Sequence, residues 1–441
     1  MHFDDLLVEK LGEFGPYQKK TYFLLCLTSI SAGFHMVISV FLLGTPEYRC
    51  ALPGWSNDTF EIQNEAHRQM INLMIPDSTD ETLKYSQCKL IKNNISVACN
   101  RWVYDKSIFK STFTSEQNLV CTDELRTSHA SMIFFGGVLA GAFGLGTLSD
   151  MLVPESPRWL LSQGRHEEAE KIIRQIAKGN NVTLPEKALV NLEADKSTTG
   201  RVWHLFTDRV LLIRTLIIFF NWLVVSMGYY GLSLNTGNLS GDFYLNFFLS
   251  GLVEFPAYTL CLVFLDRVGR KKLHVSCFVG GGLACICTIF TMLYADESLQ
   301  PITVTLAMIG KIGIAAAFAV IYVWSAEIYP TVVRNAGMGA SSACARIGGM
   351  VSPYIADVSK VVDGHLGRAL PLVIFGGFSV LAGLLSLLLP ETLNHKLPET
   401  IQDGKEFGKK ENKYFPSKSY SNQAFATDDN ISTTKTESSR L

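Results

Sequence analysis

Charge is scarce in this chain. Of its 441 residues only 18% are Asp, Glu, Lys or Arg, and the formal net charge is −1. So neutral a chain offers no electrostatic footprint for nucleic acid, and none is expected as a partner. The nine histidines show no metal-ligand spacing, so no metal site is assigned. No phosphate loop of the Gly-x4-Gly-Lys-Ser/Thr type is present, which removes support for ATP-driven chemistry. Cys285 and Cys287 lie inside an apolar run and read as two buried thiols. An enzyme is not expected, and neither a catalytic residue nor a cofactor is assigned.

What fills the space left by charge is apolar sequence. Hydrophobic residues make up 48% of the chain and the mean hydropathy is +0.20. Runs of about membrane length fall at 21–43, 129–148, 211–232, 243–265, 273–294, 301–323, 336–357 and 369–390. A water-soluble helical protein would not supply so many long runs with so few charges. The fold expected is an all-α polytopic membrane protein with about eight transmembrane helices. The first run is too long for a signal-peptide core, and its flank carries Asp4, Asp5, Glu9 and Glu13 as well as basic residues. It reads as a retained helix.

The polar stretches between the runs fix an orientation. Segment 44–128 holds Cys50, Cys88, Cys99 and Cys121 and the sequons at Asn57 and Asn94. Four cysteines in such a stretch point to two disulfides in an oxidising compartment, with three connectivities open. Further sequons at Asn181, Asn238 and Asn430 read as chance. The loop 266–272 carries Arg267, Arg270, Lys271 and Lys272, and segment 154–210 is also basic, whereas 233–242 and 295–300 have no Lys or Arg. The positive-inside rule puts the basic loops and both termini in the cytosol. The divisions expected are an N-terminal part, 1–153, a cytosolic loop, 154–210, a C-terminal six-helix part, 211–393, and a disordered cytosolic tail, 394–441. Within the cytosolic loop, Glu167 to Lys178 reads as a helix stopped by Gly179.

Two markers occur twice. Gly146-Thr147-Leu148-Ser149-Asp150 ends one span, and Leu265-Asp266-Arg267-Val268-Gly269-Arg270 follows another. Pro154-Glu155-Ser156 pairs likewise with Pro390-Glu391-Thr392. In the second half four spans lie between the markers; in the first half there are none. Loss of four helices from the first half explains this and, four being even, keeps everything downstream in its orientation. An exon-skipped transcript or a mis-assembled gene would give this pattern.

Three full charges sit mid-span at one depth: Glu254, Lys311 and Arg346. Each alone costs roughly 2.5–3.5 kcal/mol at a helix centre on insertion scales, so they should converge on a shared interior. Arg346 lies among small residues, Gly337, Gly339, Ala340, Ala345, Gly348 and Gly349, which permit close helix packing. The expectation is that Glu254 and one cation compensate each other while Arg346 stays available for a carboxylate, which a guanidinium holds with two parallel hydrogen bonds. The alternative is a static network of all three. Trp222, Tyr229, Tyr230, Tyr258 and Phe318 lie near them at helical spacing and could hold an ammonium group by cation–π attraction; packing is the commoner role of any one of them.

Several stretches together carry a family resemblance. They are Gly12-Glu13-Phe14-Gly15, the cysteine-bearing loop with Ser115-Glu116-Gln117-Asn118-Leu119-Val120-Cys121, Pro154 to Trp159, Tyr230-Gly231-Leu232-Ser233-Leu234, Ala326 to Arg334, and Pro390-Glu391-Thr392-Leu393. They resemble the major facilitator superfamily, and within it the organic cation/anion/carnitine transporter family, solute carrier family 22. The resemblance implies two six-helix bundles and alternating access, here with a truncated first bundle. It implies that Asp266, Arg267, Gly269 and Arg270 form a cytosolic gating turn with Glu327 and Arg334 as charged partners, and that Asp150 is the remnant of the first copy. Arginine at 346 with tyrosine at 258 resembles the carnitine-type branch, which implies a small organic cation or zwitterion as substrate and a plasma-membrane location. The alternatives are a transport-dead truncated chain acting through other membrane proteins, an organic-anion transporter, and a sugar-porter relative. No coupling ion is assigned.

Overall fold

The computed structural model describes residues 15–408 apart from 79–84, 153–154, 156, 163, 185–201, 240, 295–299, 363, 396 and 399. The expectations for Gly12 to Phe14, for the Pro154 marker and for the tail beyond 408 therefore lie outside the described residues.

Helix α1, Pro16–Leu42, starts where Pro16 needs no backbone donor and runs 27 residues. Its one buried residue is Val40, and Phe23, Leu24 and Phe34 stand exposed. The loop that follows is a small domain of its own. Strands β1, Tyr48–Cys50, and β4, Trp102–Tyr104, pair antiparallel, with helix α2, Glu65–Met74, between them in sequence. Strands β2, Lys89–Lys92, and β3, Ile95–Ala98, form a hairpin. Its turn residues Asn93 and Asn94 both have positive φ, the geometry a two-residue hairpin needs. Cys50 is bonded to Cys99 and Cys88 to Cys121, one of the three connectivities left open by spacing. Asn57 and Asn94 are exposed. Cys50, Leu52, Ile71, Ile75 and Leu90 fill the domain core. Buried Arg49 and His67 both hold Asp58, at 2.5 and 2.9 Å.

Helix α3, Leu125–Leu152, returns along the bundle, and α4, Pro157–Ser162, and α5, His166–Gly179, make a separate apolar cluster of Leu160, Leu161, Ala169, Ile173 and Ala177. The residue after α5, Asn180, accepts the Tyr17 N–H at 2.9 Å and donates to Gln18 at 2.9 Å, which ties α5 to the start of α1.

The main body is α6, Arg209–Leu234, α7, Phe243–Leu252, α8, Glu254–Val268, α9, Arg270–Tyr294, α10, Gln300–Ile328, α11, Arg334–Ala356, and α12, Gly364–Ser386. The expected span 243–265 is thus two helices broken at Val253. Pro256 explains the break, because its ring would clash with the carbonyl four residues earlier in a continuous helix. Among the described residues, six helical segments are long and apolar enough to cross a membrane. Helices α3, at 28 residues, and α11, at 23, are also of membrane length. The core gathers Trp222, Phe278, Trp324 and Phe375 around α6 and α10. Asn221 on α6 joins three helices by accepting from Ser386 at 2.9 Å and contacting His274 at 3.2 Å. Helix α11 meets α6 so closely that a Cβ on Gly348 would collide with the Leu223 carbonyl, and Ser128 of α3 bonds to Asp357 at the end of α11.

One expectation needs correction. The start of the tail is ordered: α13, Ile401–Glu406, is closed by a capping box of Thr400 and Asp403, and Phe407 after it is buried. Arg214 donates to the carbonyls of Gly404 and Phe407 at 2.7 Å each, and Lys405 pairs with Asp208 at 3.3 Å.

Candidate solute-binding site

Helices α6 and α10 face each other through a run of aromatic rings. Trp222 meets Tyr322 at 4.4 Å, Phe318 meets Tyr229 at 5.4 Å, and Tyr229 meets Tyr230 at 5.3 Å. Tyr230 then reaches Phe135 of α3 at 4.8 Å. The first three pairs are edge-to-face, the geometry ring quadrupoles favour, and the last is tilted. Trp222, expected to face a solute, is fully buried with its Nε1 donating to Ser325 at 3.3 Å, so it packs the core instead. Tyr258 is 44% exposed and makes no ring contact among the described residues, but it interacts electrostatically with Glu254, Tyr230 and Tyr322. Tyr322, passed over as a site residue although it continues the Lys311, Ala315, Phe318 spacing, takes its place in the aromatic wall.

The three charges divide into two groups. Lys311 Nζ lies 3.8 Å from the Glu254 carboxylate and 3.1 Å from the Ser233 hydroxyl, and also bonds to Ser250. The Tyr229 hydroxyl donates to Glu254 at 2.7 Å. Glu254 is placed there by the helix break, as the first residue of α8. The pairing expected from equal depth is therefore present, between Glu254 and Lys311. Arg346 stands apart. It is half-buried on α11, in electrostatic contact with the phenols of Tyr230 and Tyr322, and no acid among the described residues lies within ion-pair distance of it. Its buried Nε has no hydrogen-bond partner. Adjacent tyrosines on α6 thus serve different charges: Tyr229 the acid–lysine pair, Tyr230 the guanidinium.

The profile of the family described as "Sugar (and other) transporter" matches residues 121–403. The Organic cation transporter protein of Drosophila melanogaster is 34% identical over 93% of this chain and 96% of its own length. The mouse Organic cation/carnitine transporter 2 is 30% identical over 89% of this chain and 92% of its own. This chain belongs to solute carrier family 22 of the major facilitator superfamily. It is a membrane transporter family, not an enzyme family. The alignment with the Drosophila relative takes 538 positions, more than the 441 residues of this chain, so it includes gaps opposite that relative. A solved proton:xylose symporter of the same superfamily superposes with a TM-score of 0.40, at 20% identity over 65% of this chain and 61% of that one.

In this solute carrier the turn between α8 and α9 gathers a second charged cluster. Arg270 reaches Asp266 at 2.9 Å and Glu327 at 3.1 Å. Glu391, which follows α12, accepts the Arg270 and Lys271 backbone N–H groups at 3.0 and 3.2 Å. Thr392 donates to Glu327 at 2.5 Å. Four of the expected gating residues, Asp266, Gly269, Arg270 and Glu327, are brought together. Arg334 stands beside them: its Nε donates to the Tyr329 carbonyl at 3.4 Å, and its charge interacts with that of Glu327, which Arg270 holds. Arg267 is exposed, and the Asp150 side chain lies outside what the structure describes. Glu391 and Thr392 were legible only as a repeated marker, with no signal that they close this turn.

Proposed function

We propose that this transporter takes a small organic solute bearing a carboxylate, held by Arg346, and that the solute is a carnitine-like zwitterion. One observation carries the reading: a guanidinium at membrane depth with a buried Nε unpartnered and no acid beside it. Such a group is too costly to keep in lipid without an anionic occupant or a wet cavity. Tyr322, Phe318 and Tyr230 offer ring faces to an ammonium group nearby. Glu254 does not enter as a free partner, because Lys311 and Tyr229 already hold it. The name of the mouse relative, an organic cation/carnitine transporter, agrees with this choice. The same reading puts the chain in the plasma membrane, with the disulfide-bonded loop outside and both termini in the cytosol.

Binding of labelled carnitine to the purified chain in nanodiscs tests the proposal. Arg346→Ala should abolish it; undiminished binding by that variant refutes the assignment.

A second reading has its own support. Among the described residues, α1 and α3 are the helices of membrane length before α4, α1 buries a single residue, and the alignment with the Drosophila relative is longer than this chain. On this reading the chain binds solute but does not carry it across, because alternating access needs two bundles that rock against each other, and it acts through other membrane proteins. Uptake into cells, normalised to surface-biotinylated protein, separates the two.

A further inference from the structure

Lys311 occupies a setting made for an ammonium ion. Its ammonium has three N–H donors and three acceptor groups around it: Ser233 at 3.1 Å, Ser250, and the Glu254 carboxylate at 3.8 Å. The Ser233 proton is committed to the Tyr229 carbonyl at 2.9 Å, so Ser233 presents lone pairs to the lysine. The Tyr229 ring lies under the ammonium, 5.7 Å from Nζ to the centroid, inside the range of about 6 Å for a cation–π contact. The side chain is 5% exposed. Carboxylate and ring face are what a solute's ammonium would need, and a cation belonging to the protein already fills them.

The charges follow. Lys311 cancels Glu254, and Arg346 is left over as a single positive charge. A solute that brings only an ammonium adds a like charge to a low-dielectric site; one that brings a carboxylate neutralises it.

We infer that Lys311 is a tethered internal cation that fills the ammonium position beside Glu254 and Tyr229 and so makes a carboxylate obligatory in the solute. This rests on Arg346 as the carboxylate anchor. It makes Lys311 a specificity-determining residue: with its charge gone, Glu254 and the Tyr229 face become free for a simple organic cation.

The test is binding to the full chain in nanodiscs with three probes: carnitine, benzoate and tetraethylammonium. The wild type should bind carnitine and benzoate, and tetraethylammonium should neither bind nor displace carnitine. Displacement of carnitine by tetraethylammonium from the wild type overturns the inference with no variant needed. Lys311→Met should gain tetraethylammonium binding by about tenfold or more, the scale of a desolvated cation–π contact. Lys311→Gln is read alongside it in case the methionine variant does not fold, and Lys311→Arg should keep wild-type selectivity. Adding Glu254→Gln to Lys311→Met should remove the gain, which mere loosening of the bundle would not explain. Absence of any carnitine or benzoate binding by the wild type would instead bring down the Arg346 reading itself. Carboxylate binding with no gain in either lysine variant brings down the Lys311 inference alone.

Discussion

The Glu391 carboxylate closes the turn before α9, accepting the Arg270 backbone N–H at 3.0 Å. It also accepts the N–H groups of Lys271, Thr392 and Leu393, so one side chain satisfies donors at the start of α9 and in its own segment. The approach works because Gly269 has φ +99° and no side chain; a Cβ there would meet the carboxylate at 2.5 Å. Gly269→Ala is strained twice, by backbone and by contact, and should lower the melting temperature of detergent-solubilised protein. Glu391→Ala leaves several donors unmet and should cost about 1–3 kcal/mol. Wild-type melting in both variants would show that the turn is not held this way.

The loop domain should respond to acid through Asp58. Burial by itself would raise this carboxyl, but bonds from Arg49, the Leu52 N–H and His67 outweigh it and hold it below the ordinary value of 3.8. A carboxyl lowered by folding contributes stability that is complete above its unfolded pKa and is lost as pH falls through the folded one. Trp55 stacks on His67 at 5.1 Å and reports the site by fluorescence. The signal should hold down to about pH 4 and then fall. Asp58→Asn leaves Arg49 buried without its counter-charge, which should cost about 3–5 kcal/mol and remove the acid step. Superimposable titrations of the two proteins would exclude this role.

Arg346→Lys is a sharper probe than alanine. It keeps the positive charge but replaces a planar fork with a point charge. If the carboxylate is held by two parallel bonds, carnitine binding should weaken about tenfold, the loss of one charge-assisted bond. Unchanged affinity would mean that charge alone suffices and geometry does not matter.

How far the sequence disclosed this arrangement depends on the kind of interaction. Hydropathy placed the six helical segments that are apolar enough to cross a membrane, because lipid demands long apolar runs whatever the tertiary packing. Equal depth led from Glu254 and Lys311 to their ion pair, since a lone charge at that depth is too costly to tolerate. The sequence also named Arg346 as the cation left over, but it could not place Trp222 in the core, because a periodic ring reads alike on either face. The disulfide partners were closed to it, as spacing carries no connectivity. So was the docking of the tail. Phe407 is one apolar residue in a polar stretch, and its burial depends on Arg214, 193 positions earlier.

Two glycines on α11 distinguish packing from composition. At Gly348 a methyl group would run into the Leu223 backbone carbonyl on α6, an atom that cannot swing aside, so the helices must separate. At Gly339 nothing lies within 4 Å of an added Cβ. Separation of α11 from α6 carries Arg346 away from Tyr230, which sits on α6, and so should disturb the solute site without touching its residues. Gly348→Ala should therefore lose both thermal stability, by about 1–3 kcal/mol, and carnitine affinity. Gly339→Ala should keep the affinity and gain about 0.4–1 kcal/mol of stability, because alanine restricts the unfolded chain at no cost in contacts. Equal behaviour of the two variants would mean that the close approach of α6 and α11 does not set the position of Arg346.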